Sequence, residues 1–171
     1  MTDDPAGEIR ADAQRHFQQG YEAHMQGRLE EAAAHYQRSI ALHPTAEAHT
    51  FLGWVYSHQG RPEDAIAQCK IAISVDPEFG NPYNDIGAYL IGKGELDEAI
   101  EWLEKAKRAP RYEPRHFPFM NLGRLYAQKG MVLMAIAEFE EALRLAQREG
   151  GDAHAAASIG SQLSSLRAML N

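Results

Sequence analysis

Cysteine is almost absent from this chain of 171 residues: Cys69 stands alone, so an internal disulfide framework is excluded. Cations are also few. Lys and Arg number 17 against 24 Asp and Glu, a net charge of −7, whereas a chain built to meet nucleic-acid phosphates carries a positive field. No apolar run approaches the roughly 20 residues that a bilayer-spanning helix requires. The opening MTDDPAGEIR is acidic and has no apolar segment, so it does not read as a secretory signal. Metal-binding patterns are missing too. The eight histidines (His16, His24, His35, His43, His49, His58, His116 and His154) include no pair spaced i, i+4, and neither H-E-x-x-H nor C-x-x-C occurs. The glycines are scattered singly, with no phosphate-cradling loop. Together these absences predict a soluble, cytoplasmic protein with no cofactor, metal or catalytic group, no nucleic-acid partner and no membrane insertion.

What the chain does contain is a repeat. Apolar residues make up 44% and charged residues 24%, ordinary values for a folded protein. Gly20, Gly53, Gly87 and Gly123 are separated by 33, 34 and 36 residues. Gly27, Gly60, Gly94 and Gly130 keep the same separations, as do Ala32, Ala65, Ala99 and Ala135. A further column, Tyr36, Cys69, Leu103 and Phe139, holds bulky or soft apolar residues in the same register, which makes Cys69 a packing thiol rather than a nucleophile.

Each unit reads as a pair of helices. Thr45 is placed to cap a helix carrying Phe51, Leu52, Val55 and Tyr56 at helical spacing. Gly60 ends that helix, Pro62 opens the next, and Glu63 and Asp64 suit the positive end of its dipole. In the third unit Asn81 is expected as the cap before Pro82, and residues 97–109 form the partner helix. Gly53 and Ala65 stand where two helices approach closely. One hairpin cannot bury its apolar face alone, so the units must stack.

This pattern resembles the tetratricopeptide repeat, with its 34-residue period and W-x₂-L-G-x₂-Y then A-x₃-F spacing. The residues that carry the likeness are His49-x₂-Leu52-Gly53-x₂-Tyr56, Tyr83-x₂-Ile86-Gly87-x₂-Leu90 and Phe119-x₂-Leu122-Gly123-x₂-Tyr126. The first unit departs, with Gln19 and Ala23 in place of the apolar pair. The resemblance implies an all-α, right-handed α-solenoid of four hairpins, about residues 13–45, 46–79, 80–115 and 116–149 within 10–149. Residues 1–9 are expected to form a disordered tail, and 150–171 a C-terminal capping helix. The cap follows from Ala156, Ile159, Leu163, Leu166 and Leu170, which recur as one apolar seam.

The family lines its concave face with the first helix of each hairpin. The outer stripe of those helices supplies the candidate partner-binding residues: Phe17, Tyr21 and His24, then Thr50, Trp54 and Ser57. The later units add Asn84, Ala88 and Ile91, then Met120, Arg124 and Gln128. One binding mode of the family is a clamp of Lys, Asn and Arg for chaperone C-terminal carboxylates. In one frame the matching places are Phe17, Tyr21, Phe51, Asn81 and Asp85. Shifted by one hairpin they are Thr50, Trp54, Asp85, Phe117 and Asn121, so the clamp's cations are missing in both. A separate basic stretch, Lys107, Arg108, Arg111 and Arg115 with Lys105, reads either as a solvated loop or as a patch for an acidic partner. The expected function is a non-enzymatic scaffold or adaptor that holds a peptide or helix of another protein. The alternative is a self-assembly module forming homo-oligomers through stacked repeats or the C-terminal helix.

Overall fold

Glycine decides where the first helix of each hairpin stops, and small residues decide how closely the second one packs against it. The computed structural model describes residues 4–148 and 152–170. Among these residues nine helices follow in order: α1 (Pro5–Met25), α2 (Leu29–Leu42), α3 (Ala46–His58), α4 (Pro62–Val75), α5 (Asn81–Lys93), α6 (Leu96–Arg108), α7 (His116–Gln128), α8 (Val132–Arg148) and α9 (Ala153–Ala168). Consecutive helices pair antiparallel, and α1, α3, α5 and α7 also touch one another directly, forming an inner row. The result is an all-α solenoid of four hairpins closed by α9.

Gly94 illustrates the turns. Its φ of +80° lies in the left-handed region, where a side chain is strained. There the Glu95 N–H donates to the Leu90 carbonyl at 2.9 Å and the Gly94 N–H to Ile91 at 3.0 Å, satisfying carbonyls that the helix end leaves open. Gly27, Gly60 and Gly130 repeat the same conformation.

The other glycine column sets the spacing inside each hairpin. A methyl group placed on Gly87 would lie 2.5 Å from Leu103 Cγ, and one on Gly123 would lie 2.9 Å from the Phe139 ring. The bulky residue on the second helix therefore sits directly against the bare backbone of the first. Overpacking such a contact typically costs about 1–3 kcal/mol. Gly87→Leu is expected to lose about 3 kcal/mol of stability in urea denaturation. Gly92, on the exposed side of the same helix, has open space around it. Gly92→Ala is therefore expected to gain about 0.5–1 kcal/mol through reduced backbone entropy. Equal effects at the two sites would show that the register is misplaced.

Three expectations are corrected. Residues 5–9, placed in a disordered tail, form the first turns of α1, because the Asp4 carboxylate accepts the Gly7 N–H at 3.0 Å and Pro5 suits the first helical position. Residues 1–3 lie outside the described residues. Asn81 is the first residue of α5 and not its cap; Gly80 holds that place without a side-chain bond. In α9 the buried stripe is Ala155, Ile159, Leu163 and Leu166, whereas Leu170 lies past the helix end and is 54% exposed.

The last repeat spacing, 36 residues against 34 in the one before, leaves two extra residues after α6, and a backbone clasp accommodates them. Arg111 N–H donates to the Glu78 carbonyl at 3.1 Å, and its own carbonyl accepts the Gly80 N–H at 2.8 Å. Tyr112 is buried against Gly80, where any side chain would collide with it.

Candidate functional site

The inner row of helices carries a line of polar contacts from one hairpin to the next. His24 Nε2 lies 2.8 Å from His58 Nδ1, joining α1 to α3. Trp54 Nε1–H donates to Asp85 Oδ2 at 2.6 Å, joining α3 to α5. Asn121 Nδ2 donates to Asn84 Oδ1 at 2.9 Å, joining α5 to α7. Each bond spans one repeat, so side chains at related places in successive units meet across the row.

Several residues expected on the open surface are therefore inside. His24, Thr50, Asn84 and Met120 are all buried. Thr50 turns its hydroxyl back to the Ala46 carbonyl at 2.7 Å, a bond within its own helix. Met120 belongs to the main apolar cluster with Leu122 and Leu125. The residues that reach solvent are Tyr21, Arg124 and Gln128, while Phe17, Trp54, Ser57, Ala88 and Ile91 are half-buried.

The candidate aromatic residues of α1 and α3 form one connected group with Phe51. The Phe51 ring centroid lies 5.2 Å from Phe17, 5.9 Å from Tyr21 and 4.8 Å from Trp54. Trp54 is thus both packed and partly exposed, with its indole edge fixed by Asp85. A rigid ring held in this way loses little freedom on contact with a partner. Helical spacing puts Phe51 among the apolar residues of α3, and its place at the centre of this group depends on how α1 and α3 cross.

Asp85 is the residue that sequence reasoning undervalued. In the sequence it enters only as a matching place in the two clamp frames and as the single charge of the stretch NPYNDIGAYL. It is 8% exposed, and burial raises its pKa from 3.8 to about 7, against the opposing bonds from Trp54 and Asn84. Beside it opens a cavity of about 340 Å³ lined by Trp54, Ser57, His58, Asp85, Ala88 and Tyr89. Burial pushes the Tyr89 hydroxyl up strongly, with Asp85 adding to the shift. That hydroxyl makes no well-formed hydrogen bond, Ser57 being the neighbour close enough to favour its ionised form. His24 is pushed down, first by burial and then by His58.

The basic stretch is a structural clasp more than an open patch. Arg111 pairs with Glu47 at 2.8 Å and with Asp76, and stacks 4.4 Å over the Phe79 ring. Lys107 pairs with Glu138 at 3.0 Å and Glu104 at 3.1 Å. Arg115 donates to the Ala109 and Pro110 carbonyls at 3.2 and 2.8 Å. Lys107, Arg111 and Arg115 are thus already engaged by the fold's own acceptors. Arg108 is exposed and lines a shallow cavity with Lys105 and Tyr83.

Among the described residues no three His, Cys, Asp or Glu side chains converge on a metal-sized site, and no helix is long and apolar enough to cross a membrane.

Comparison with known proteins gives one family throughout. The tetratricopeptide repeat matches residues 17–80, and again 81–111 and 119–149. The chain spans 41% and 20% of the lengths of two curated relatives that it matches over 74 and 71 residues. Among solved structures it is similar to Pseudomonas aeruginosa PilF, at 24% identity and a TM-score of 0.80, covering 94% of this chain and 68% of the other. It is similar to YrrB, described as having an unusual peptide-binding site, at 18% identity and a TM-score of 0.65, with 87% and 74% of the two chains covered. It is also similar to the first tetratricopeptide domain of Spaghetti bound to an HSP90 peptide, at 19% identity and a TM-score of 0.62, with 72% and 94% covered. At such identities the likeness is one of fold.

Proposed function

Because this chain belongs to the tetratricopeptide repeat family, a fold that serves in general as a non-enzymatic scaffold for protein–protein contact, we propose that its inner-helix face holds a peptide or short helix of another protein. The carrying observation is the connected aromatic group of Phe17, Tyr21, Phe51 and Trp54, which is half-open to solvent beside a cavity spanning α3 and α5. Aromatic anchors in a partly desolvated setting are the usual energetic centres of interfaces. The peptide-binding site of YrrB and the HSP90 peptide bound to Spaghetti support the reading by analogy of fold. An apolar partner side chain packs near Tyr21 and Trp54, and the exposed Arg124 orients an acidic group further along. The apolar contact supplies most of the affinity, and the charge mainly sets orientation and association rate.

The test is selection of displayed random peptides on the immobilised full chain. Affinities of the winners are then measured for Tyr21→Ala, Trp54→Ala and Arg124→Ala across a salt series. Loss of about tenfold or more is expected for Trp54→Ala at all salt concentrations. Arg124→Ala is expected to weaken binding mainly at low salt, since the Debye length is about 10 Å at 0.1 M. Winners that bind all three variants as well as wild type would rule out this face.

A second reading concerns copies of the chain. Met131 just before α8 and Leu133 and Met134 in its first turn join Leu170 around an open cavity, and Leu133 is 71% exposed. Exposed apolar groups gathered in this way mark contact surfaces. Sedimentation of the wild type as a concentration-dependent dimer, and of Leu133→Glu as a monomer, is the expected result. A monomeric wild type at high concentration would exclude it.

A further inference from the structure

Burial of a carboxylate normally brings a cation with it, because an unpaired charge inside a protein is costly. This fold follows that rule at Glu138, whose half-buried carboxylate is held by Lys107 at 3.0 Å. It departs from the rule at Asp85. That side chain is more deeply placed, yet among the described residues its recorded partners are neutral: Trp54 Nε1–H at 2.6 Å and Asn84 Nδ2–H at 3.4 Å. Among the described residues no ion pair with Lys or Arg is recorded at Asp85, although surface ion pairs are plentiful elsewhere.

The carboxylate also borders open space. The cavity beside it, about 340 Å³, has the Trp54 and Tyr89 rings among its walls. Such walls suit the alkyl stem of a long basic side chain and attract its charged head through their π faces. The Tyr89 hydroxyl is itself buried and lacks a well-formed bond, while its residue lines the same cavity. The net charge of −7 favours approach of a basic segment.

We propose that this cavity is a subsite for a Lys or Arg side chain of the bound partner segment, with Asp85, whose partners among the described residues are neutral, as its counter-ion. This rests on the inner-helix reading above and gives the partner a chemistry: a segment with a basic residue beside an apolar one. The guanidinium of Arg fits best, since it can bond a carboxylate oxygen while stacking on Trp54. Asp85 Oδ2 already accepts the Trp54 N–H, so the indole and the bound cation share one carboxylate, and the aromatic anchor and the ion site work together.

The experiment uses the same peptide selection on the full chain, run in parallel on wild type and Asp85→Asn. Asn keeps an oxygen to accept the Trp54 N–H and removes the charge. Circular dichroism confirms that the variant is folded. Wild-type winners are expected to be enriched in Lys or Arg, and the enrichment is expected to disappear with Asp85→Asn. As a direct check, pentapeptides with central Arg, norleucine or Glu in an alanine background are titrated while the indole N–H resonances are followed. Trp102, on the second helix of its hairpin, serves as the reference. The Arg peptide should move the Trp54 signal saturably with a Kd at least tenfold below the other two, and Asp85→Asn should abolish that difference. Trp54-dependent winners with no basic enrichment would overturn the cation subsite and leave the groove reading standing. Absence of any Trp54-dependent winner would overturn both. Equal titration by all three pentapeptides, or no movement of the Trp54 signal by any, would reject the subsite directly.

Discussion

A chain ending before residue 152 is expected to lose on the order of 5 kcal/mol of stability and to aggregate on warming. Helix α9 has no hairpin partner; it lies along α8 and buries Ile159, Leu163 and Leu166 there. Truncating one buried Leu or Ile to Ala costs about 2–5 kcal/mol, and deletion removes three such groups at once. It also removes the ion pair of Arg167 with Glu140 at 2.6 Å, a minor loss at an exposed site. The larger consequence is the uncovered face of α8. Apolar surface of that kind on the last repeat invites association with other chains, which is why solenoids close their ends. Leu163→Ala is the milder companion variant, expected to lose about 3 kcal/mol while staying soluble. The measurements are thermal unfolding and light scattering. A truncated chain that stayed monomeric with unchanged melting would show that α9 is not a cap. If deletion instead dissolved a wild-type oligomer, α9 would be the assembly surface.

Asp85→Asn is expected to make the protein more stable, and by an amount that grows with pH. In the folded chain Asp85 titrates at about 7, raised from 3.8 chiefly by burial. Between those values the folded state keeps a proton that the unfolded state has released, so stability falls as pH rises through the window. Below it the carboxyl is neutral in both states and the cost vanishes. Above pH 7 the cost is complete, roughly 4 kcal/mol at 1.36 kcal/mol per unit. The stability gap between variant and wild type should therefore widen by about 2–3 kcal/mol from pH 5 to pH 8 in urea denaturation. The groups facing the carboxyl are Trp54 and His58 from α3, Cys69 from α4 and Tyr89 on its own helix. The Cys69 thiol and the Tyr89 hydroxyl are both pushed up and stay protonated across this range. His24 is lowered, so its own contribution to stability rises with pH, opposite in sense to that of Asp85. It is present in both chains and cancels in the difference. A constant gap would place the Asp85 carboxyl in contact with water.

A variant that gains stability while losing its ligand marks a residue kept for binding, because functional sites commonly hold groups that the fold would do better without. Combined with the peptide selection, the pH experiment separates a carboxylate kept for a partner from one that serves only to bond Trp54.

Much of the fold is legible in the order of residues alone. Gly94 must end a helix because a positive φ excludes other side chains there, and Gly87 must face a large neighbour because the same column recurs opposite Leu103. These are local or one-hairpin relations, repeated four times, so their period reveals them. The seam of α9 follows from helical spacing in the same way, apart from Leu170, which the helix end leaves outside.

The site was legible only in part. Helical spacing puts Thr50, Trp54 and Ser57 on one stripe of α3, but it cannot say how α1 and α5 cross that stripe. The crossing buries Thr50, leaves Trp54 half-open and brings Asp85 under the indole. Asp85 and Trp54 are 31 residues apart and meet only because consecutive hairpins stack. Likewise Arg111 reads as a free cation in its own stretch, yet Glu47 lies 64 residues before it and reaches it only in the folded stack. The repeat by itself determined that helices pair and stack, since each bare glycine demands a close partner and each lone hairpin leaves an apolar face open. Tertiary structure alone decided which polar and charged groups face one another between repeats, because their partners there come from residues about one repeat or more away.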